Sequence, residues 1–264
     1  MSARPKKSFG QHFLHERRYI ERIVAAISPR PDDFLVEIGP GEGALTFPLL
    51  AAAGKLTAVE LDTDLIPDLQ ARAANIGPLS IVHADVLKVD FTAMAQREGV
   101  SRLRIAGNLP YYISSPILFH CVDHAAAIAD MHFMLQKEVV DRMAAEPGSK
   151  VYGRLSVMLQ LACRVEPLFD VPPGAFRPPP KVDSSVVRLI PLAADERHNA
   201  DPARLHAVVK AAFAQRRKTL SNALRQLMDA DAIRAADVDP KARAETLAPL
   251  DFVRLAKVQD AGDR

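Results

Sequence analysis

The chain is poor in several things, and each shortage narrows what it can be. Among 264 residues there are two cysteines, Cys121 and Cys163, each isolated in an apolar, helix-like setting. That excludes a disulfide framework and a cysteine-based zinc site, and it fits buried thiols in a reducing compartment. The eight histidines are scattered without metal-ligand spacing, so no metal site is expected. No apolar run is long enough to cross a membrane. No apolar stretch follows the basic pair Lys6 and Lys7, as a secretory signal would require. The expectation is a cytoplasmic protein without a membrane partner. Net charge is also scarce: 34 basic against 32 acidic side chains leave +2. Attraction to nucleic acid must therefore come from local clustering rather than global charge. Repeats and low-complexity tracts are absent, and a hydrophobic content of 48% suits a packed core.

What is present is an alternation of strand-like and helix-like segments. Apolar residues at 20, 23, 24 and 27 keep the helical period. "DDFLVEIGPGEGALTFPLL" then reads as strand, glycine turn and helix. "KLTAVELD", "LSIVHAD", "LRIAGN" and "ADMHFMLQ" supply four more strands, with helices expected near 64–74, 91–98 and 115–124. Such alternation implies βαβ units, a mostly parallel sheet and right-handed crossovers, an α/β Rossmann-like architecture. After Gln136 comes a helix, and "YGRLSVMLQLACRVEPLFDVP" runs from helix into strand. The prolines at 178–180 must be extended or loop. "VDSSVVRLIPL" is β-rich and is expected to pair antiparallel with the strand before that loop, closing one edge of the sheet. Beyond about Ala193 only helical spacing remains, as at Leu205, Val208, Val209, Ala212 and Phe213. Two domains follow: a catalytic domain over 1–194 and a small all-helical one over 195–264.

Three short stretches carry chemistry. "VEIGPGEGALT" holds Gly39, Gly41 and Gly43 after the first strand of the alternation, where glycines let a backbone approach a ligand. A tight strand–helix turn or a dinucleotide site would use similar residues. Glu60 ends the next strand, where an acid binds ribose hydroxyls in nucleotide folds. Asp85 ends the strand after that, able to accept from an adenine amino group or to cap a helix. Acids at consecutive strand ends converge on one crevice. The third glycine comes one place too early for a dehydrogenase, and Glu37 precedes the turn in the form E-x-G-x-G. That form resembles the first motif of S-adenosylmethionine-dependent methyltransferases.

"GNLPYY" is the third stretch. Asn108-Leu109-Pro110-Tyr111 resembles the [DNS]-P-P-[YFW] signature of enzymes that methylate exocyclic amines of nucleic acid bases. An adenine amine is a poor nucleophile because its lone pair is delocalised into the ring. The Asn108 amide oxygen and the Leu109 carbonyl, held by the turn at Pro110, can each accept one amine hydrogen and favour a pyramidal nitrogen. Tyr111 offers a face for the base. The plain alternative is an Asn-capped proline turn with Tyr111 as packing.

With "KKSFGQHFL", "ADMHFMLQKEVVDRM", "YGRLSV", "AFRPPPKVDSSVVRL" and "FAQRRKTLSNAL", these motifs span residues 6–224. Together the chain resembles the KsgA/RsmA family of small-subunit ribosomal RNA adenine dimethyltransferases. It is similar, more distantly, to the Erm large-subunit enzymes. The resemblance implies a class I methyltransferase sheet that takes S-adenosylmethionine as methyl donor, with no metal. It implies that His12 and Leu14 lie against this cofactor, Gly39 lies under its methionine part, Glu60 holds its ribose and Asp85 reads its adenine. Asn108 would close that site and, with Leu109, Pro110 and Tyr111, meet the target. His12 and Tyr112 both stand where family members often carry Asn.

The resemblance also implies a partner: 16S rRNA within a small-subunit precursor. Two adjacent adenosines in a loop near its 3′ end would become N6,N6-dimethyladenosine, and the enzyme would work as a monomer. Basic residues support an RNA partner. Lys6 and Lys7 at the start, and Arg216, Arg217 and Lys218 in the helical part, are candidate phosphate contacts. A solvated charged face would look similar. Two other functions compete, a DNA adenine methyltransferase and a non-enzymatic ribosome-assembly factor.

Overall fold

The computed structural model describes residues 12–215 and 217–258. Lys6, Lys7 and Arg216 lie outside them. The chain opens with β1 (Phe13–Leu14) and α1 (Arg17–Ile27), then alternates through β2 (Leu35–Ile38), α2 (Thr46–Ala53), β3 (Leu56–Glu60), α3 (Ile66–Ala73) and β4 (Leu79–His83). It continues with α4 (Phe91–Arg97), β5 (Leu103–Asn108), α5 (Ser114–Asp123) and β6 (Ile128–Gln136). α6 (Lys137–Met143) and α7 (Arg154–Gln160) precede β7 (Cys163–Val171), β8 (Phe176–Arg177) and β9 (Ser184–Pro191). The rest of the described chain is helical: α8 (Pro202–Ala214), α9 (Leu220–Ala223), α10 (Ala230–Ala235) and α11 (Pro249–Lys257).

Seven strands form one sheet in the order β4-β3-β2-β5-β6-β9-β7. The first five run parallel, and β9 pairs antiparallel with β6. β2 is buried at all four positions, as expected of a central strand covered on both faces, whereas the edge strand β4 is half exposed. One face of the sheet packs on α1 and α2. Tyr19, Ile23 and Ile27 lie four residues apart on one side of α1, and with Leu49 and Leu50 of α2 they share a core with Leu35, Ala106 and Met134. Full burial of Leu49 and Leu50 contributes about 1.5–3 kcal/mol each. The C-terminal end of α1 is held by Arg104 of β5, which donates to the Ile27 carbonyl at 2.7 Å and pairs with Asp33 and Asp130. A guanidinium there satisfies orphan carbonyls and opposes the helix dipole.

Two details go beyond the sequence. β9 lies beside β7, as expected of the strand before the proline loop, and the pair completes one end of the sheet, with β7 outermost and β9 between β6 and β7. Eight residues with six buried suit that interior position better than β7, which is buried only at its ends. The chain also divides differently. Among the described residues, 12–140 with 166–191 form one compact unit, and 141–165 with 192–258 form the other. The segment 141–165, assigned from sequence to the sheet domain, thus groups with the helices. Its Tyr152 is fully buried in their core with Val208, Leu224 and Phe252, and its hydroxyl donates to the Leu247 carbonyl at 2.9 Å.

Candidate active site

The strand order reverses between β2 and β5, and the crevice beyond the C-terminal ends of an open sheet at such a switch point is the usual ligand position. Register brings the chemistry to one level there. Glu37 of β2 lies beside Ala58 of β3 and Ala106 of β5, and Glu60 pairs with His83 of β4. The chain leaving each strand therefore enters the same space. His12, Leu14, Gly39, Glu60, Asp85, Asn108, Leu109, Pro110 and Tyr111 all line one crevice. Of the residues singled out from the sequence, Arg217 and Lys218 are not in it. They are exposed in the helical unit.

The glycine turn is shaped by close approach. A Cβ on Gly41 would stand 3.2 Å from the ring of Phe13 in β1. Gly107, which the sequence reading passed over, matters more, because its Cβ would be 2.6 Å from the Ile38 carbonyl oxygen, where β2 and β5 pack backbone to backbone. Beside Gly39, by contrast, nothing lies within 4 Å on the Cβ side, which leaves a bare stretch of backbone facing the crevice.

The acids differ in how they are held. Glu60 is 7% exposed and accepts from the Asp62 N–H at 2.7 Å and the Gly41 N–H at 3.4 Å, so it ties the turn to the end of β3. Burial raises its pKa, and backbone N–H groups oppose the rise. Asp85 caps the short 3₁₀ turn 86–88 by accepting from the Leu87 N–H at 3.1 Å. The capping alternative is thus realised, yet one carboxylate oxygen remains for a ligand. Glu37 is buried in the crevice floor, and its Oε2 has no hydrogen-bond partner. Burial pushes its carboxyl up to about 8. The Thr46 hydroxyl eases this cost without meeting hydrogen-bond geometry.

Across β2 from these acids, β5 ends in Asn108. Its Nδ2 donates to the His12 carbonyl at 3.1 Å. A carbonyl partner demands the NH₂ end, so the amide orientation is settled and Oδ1 is left to accept from a ligand. The Leu109 N–H donates to the Met134 carbonyl at 3.1 Å, and no described backbone group donates to the Leu109 carbonyl in return. Pro110, at φ −59° and ψ 130°, then turns the chain into the 3₁₀ segment Tyr111–Ile113. The Tyr111 hydroxyl hydrogen-bonds Ser184 Oγ at 2.6 Å, and its ring centroid is 5.6 Å from that of His12. Two neutral acceptors and an aromatic face thus stand together, the set needed to hold an exocyclic amine.

What holds His12 and Leu14 against this arrangement was not legible from the sequence. β1 pairs antiparallel with β8, with Phe13 opposite Arg177, and His12 Nδ1 donates to the Pro178 carbonyl at 2.8 Å. The proline-rich stretch singled out in the sequence thereby seats His12 and Leu14 over the turn. The crevice suits a nucleoside-bearing cofactor: acceptors for hydroxyls and amines at the ends of β3 and β4, a bare glycine backbone, and a buried carboxyl with an unused oxygen. Among the described residues, no three His, Cys, Asp or Glu side chains are grouped as a metal ion would need. No described helix is long and apolar enough to cross a membrane.

Comparison with known proteins points one way. The family model for ribosomal RNA adenine dimethylase matches residues 2–260. The chain is 63% identical over 260 residues to ribosomal RNA small subunit methyltransferase A of Xanthomonas oryzae pv. oryzae, covering 98% of each chain. It is 63% identical over 258 residues to the protein of that name from Xanthomonas campestris pv. campestris, covering 98% of this chain and 97% of the relative. Among solved structures, a dimethyladenosine transferase from Plasmodium falciparum superposes with a TM-score of 0.78 at 26% identity, covering 92% of this chain and 96% of the other. The 23S rRNA methyltransferase ErmE does so with a TM-score of 0.70 at 26% identity, covering 93% and 98%.

Proposed function

This chain belongs to the ribosomal RNA adenine dimethylase family, and we propose that its crevice receives two adjacent adenosines from a loop near the 3′ end of 16S rRNA during assembly of the small ribosomal subunit. It is an S-adenosylmethionine-dependent methyltransferase that dimethylates adenine in ribosomal RNA. The enzyme works as a monomer in the cytoplasm, on a precursor of the subunit.

Bound S-adenosylmethionine supplies an electrophilic methyl group on its sulfonium. The residues of this chain hold it and present the amine. Glu60 takes the ribose hydroxyls, Asp85 takes the adenine amino group, and Gly39 lies under the methionine part. His12 and Leu14 cover it from β1. Asn108 Oδ1 and the Leu109 carbonyl accept the two hydrogens of the target amine, with its base against Tyr111. Both acceptors gain strength as positive charge develops on the nitrogen, and their fixed positions remove the cost of reorganising water. Transfer breaks the sulfur–methyl bond and leaves a neutral thioether, and the methylated nitrogen sheds one proton to solvent; the monomethylated amine keeps a lone pair and one hydrogen, so one of the two acceptors serves a second round. Exposed Arg217 and Lys218 contribute phosphate contacts.

The observation that carries this reading is the Asn108 amide, which spends its N–H on His12 and leaves its oxygen free. The test is mass spectrometry of nucleosides from small-subunit rRNA, in cells with the protein, without it, and with Asn108→Ala. Dimethyladenosine is expected only in the first. Single-turnover methylation by purified Asn108→Ala should be about 100-fold slower or worse, with circular dichroism as the folding control. Unchanged dimethyladenosine without the protein, or a folded Asn108→Ala enzyme at wild-type rate, overturns the proposal.

A further inference from the structure

Tyr112 is the aromatic residue left unused by the site described above. It lines the same crevice, yet it is 61% exposed. Its neighbour Tyr111 is tied down by Ser184 and lies against His12. Consecutive residues of a 3₁₀ turn point about 120° apart, so seating Tyr111 inward turns Tyr112 outward, toward the mouth. No ring, hydrogen-bond or ion-pair partner holds Tyr112 among the described residues. The Ile113 N–H to Pro110 carbonyl bond, at 3.2 Å, nevertheless fixes the backbone that carries it. An exposed ring at the mouth of a crevice offers a flat face to whatever strand enters it.

We propose that Tyr112 is a nucleobase-stacking residue, taking the base next to the target adenine in the RNA strand while the target itself occupies the crevice. This rests on the function proposed above. The position argues for the RNA strand as occupant. Glu60 ends β3 and Asp85 follows β4, on one side of β2 in the sheet, whereas Tyr112 follows β5 on the other side, beyond Asn108 and Pro110. The chemistry favours a base. A target drawn into a pocket is unstacked from its neighbours, and the flanking base loses a stacking surface at that moment. Tyr112 replaces the lost surface at the point where the strand leaves the crevice. Base–aromatic stacking tolerates any sequence, so the residue holds the strand without choosing its letters. Tyr111 and Tyr112 then divide the work: one receives the base being methylated and the other receives its neighbour.

The experiment compares full-length wild type, Tyr112→Ala and Tyr112→Phe on small-subunit precursor particles whose rRNA lacks dimethyladenosine. Calorimetry of S-adenosylmethionine binding runs alongside. Tyr112→Ala should raise KM for RNA by about 5- to 100-fold, with a smaller effect on kcat and unaltered affinity for the methyl donor. Tyr112→Phe keeps the ring and should remain near wild type. A 2-aminopurine beside the target adenine should be quenched on binding the wild-type and Phe proteins and not the Ala protein. An unchanged KM in Tyr112→Ala, or a loss of methyl-donor affinity in step with it, would overturn the assignment. A wild-type protein that transfers no methyl group to the RNA would instead overturn the function on which the assignment rests.

Discussion

Glu37 offers a test of the crevice floor that needs no substrate. The carboxyl is 1% exposed, and its pKa stands at about 8 rather than the ordinary 4.5, chiefly because burial penalises the charge. Nearby Glu60 adds to the rise, and Thr46 opposes it. In the unfolded chain Glu37 ionises near 4.5, whereas the folded protein keeps the proton until about pH 8. Between those values the native state holds more protons, so stability is complete below the first and is lost progressively toward the second. The full span corresponds to roughly 5 kcal/mol at about 1.4 kcal/mol per pH unit. Even half of it would move the melting point of a chain this size by about 5 °C or more. Glu37→Gln keeps the shape and removes the titration. Urea unfolding of both proteins without ligand, at about pH 5.5 and about pH 8.5, isolates this group because every other carboxylate is common to both. The mutant should match or trail the wild type at the lower pH and gain about 3 kcal/mol on it by the higher. A difference that stays constant across that range would refute the account of Glu37 as a carboxyl kept protonated by burial.

Three further outcomes follow from the geometry. Gly107→Ala should destabilise the protein by about 1–3 kcal/mol in urea unfolding, because the added Cβ meets the Ile38 carbonyl oxygen at 2.6 Å and neither backbone can yield. Glu60→Ala should weaken S-adenosylmethionine binding by about 1.5–3 kcal/mol in calorimetry, and unchanged affinity would remove Glu60 from the ribose site. Neutralising Arg217 and Lys218 together should lower the salt dependence of RNA binding by about 0.7 per lost phosphate contact, leaving methyl-donor affinity intact. An unaltered slope would show that this surface does not dock phosphate.

The sequence by itself determined the alternating order of strands and helices, and it put Glu60, Asp85 and the Asn108–Tyr111 turn at or just past strand ends. These are local properties. Periodicity marks which residues can share a face, and a strand of the parallel sheet must deliver its following residues to the C-terminal edge. Glu60, Asp85 and Asn108 therefore reach the crevice whatever the rest of the chain does. Only the tertiary structure decided what depends on a distant partner. The contact of His12 with Pro178 joins residues 166 apart in sequence, and that of Tyr111 with Ser184 joins residues 73 apart. Nothing near either residue announces its mate. β9 is β-rich from its own residues, but its insertion between β6 and β7 depends on which edge the sheet leaves open. Tyr152 has no local mark that sends its segment to the helical core. The environment of Glu37 is likewise a property of packing: a glutamate beside a glycine turn reads as one more acid until Thr46 and the neighbouring strands exclude water from it. A one-dimensional pattern reports the face a residue prefers; which surface meets that face is set by burial and by hydrogen bonds closed across the whole chain.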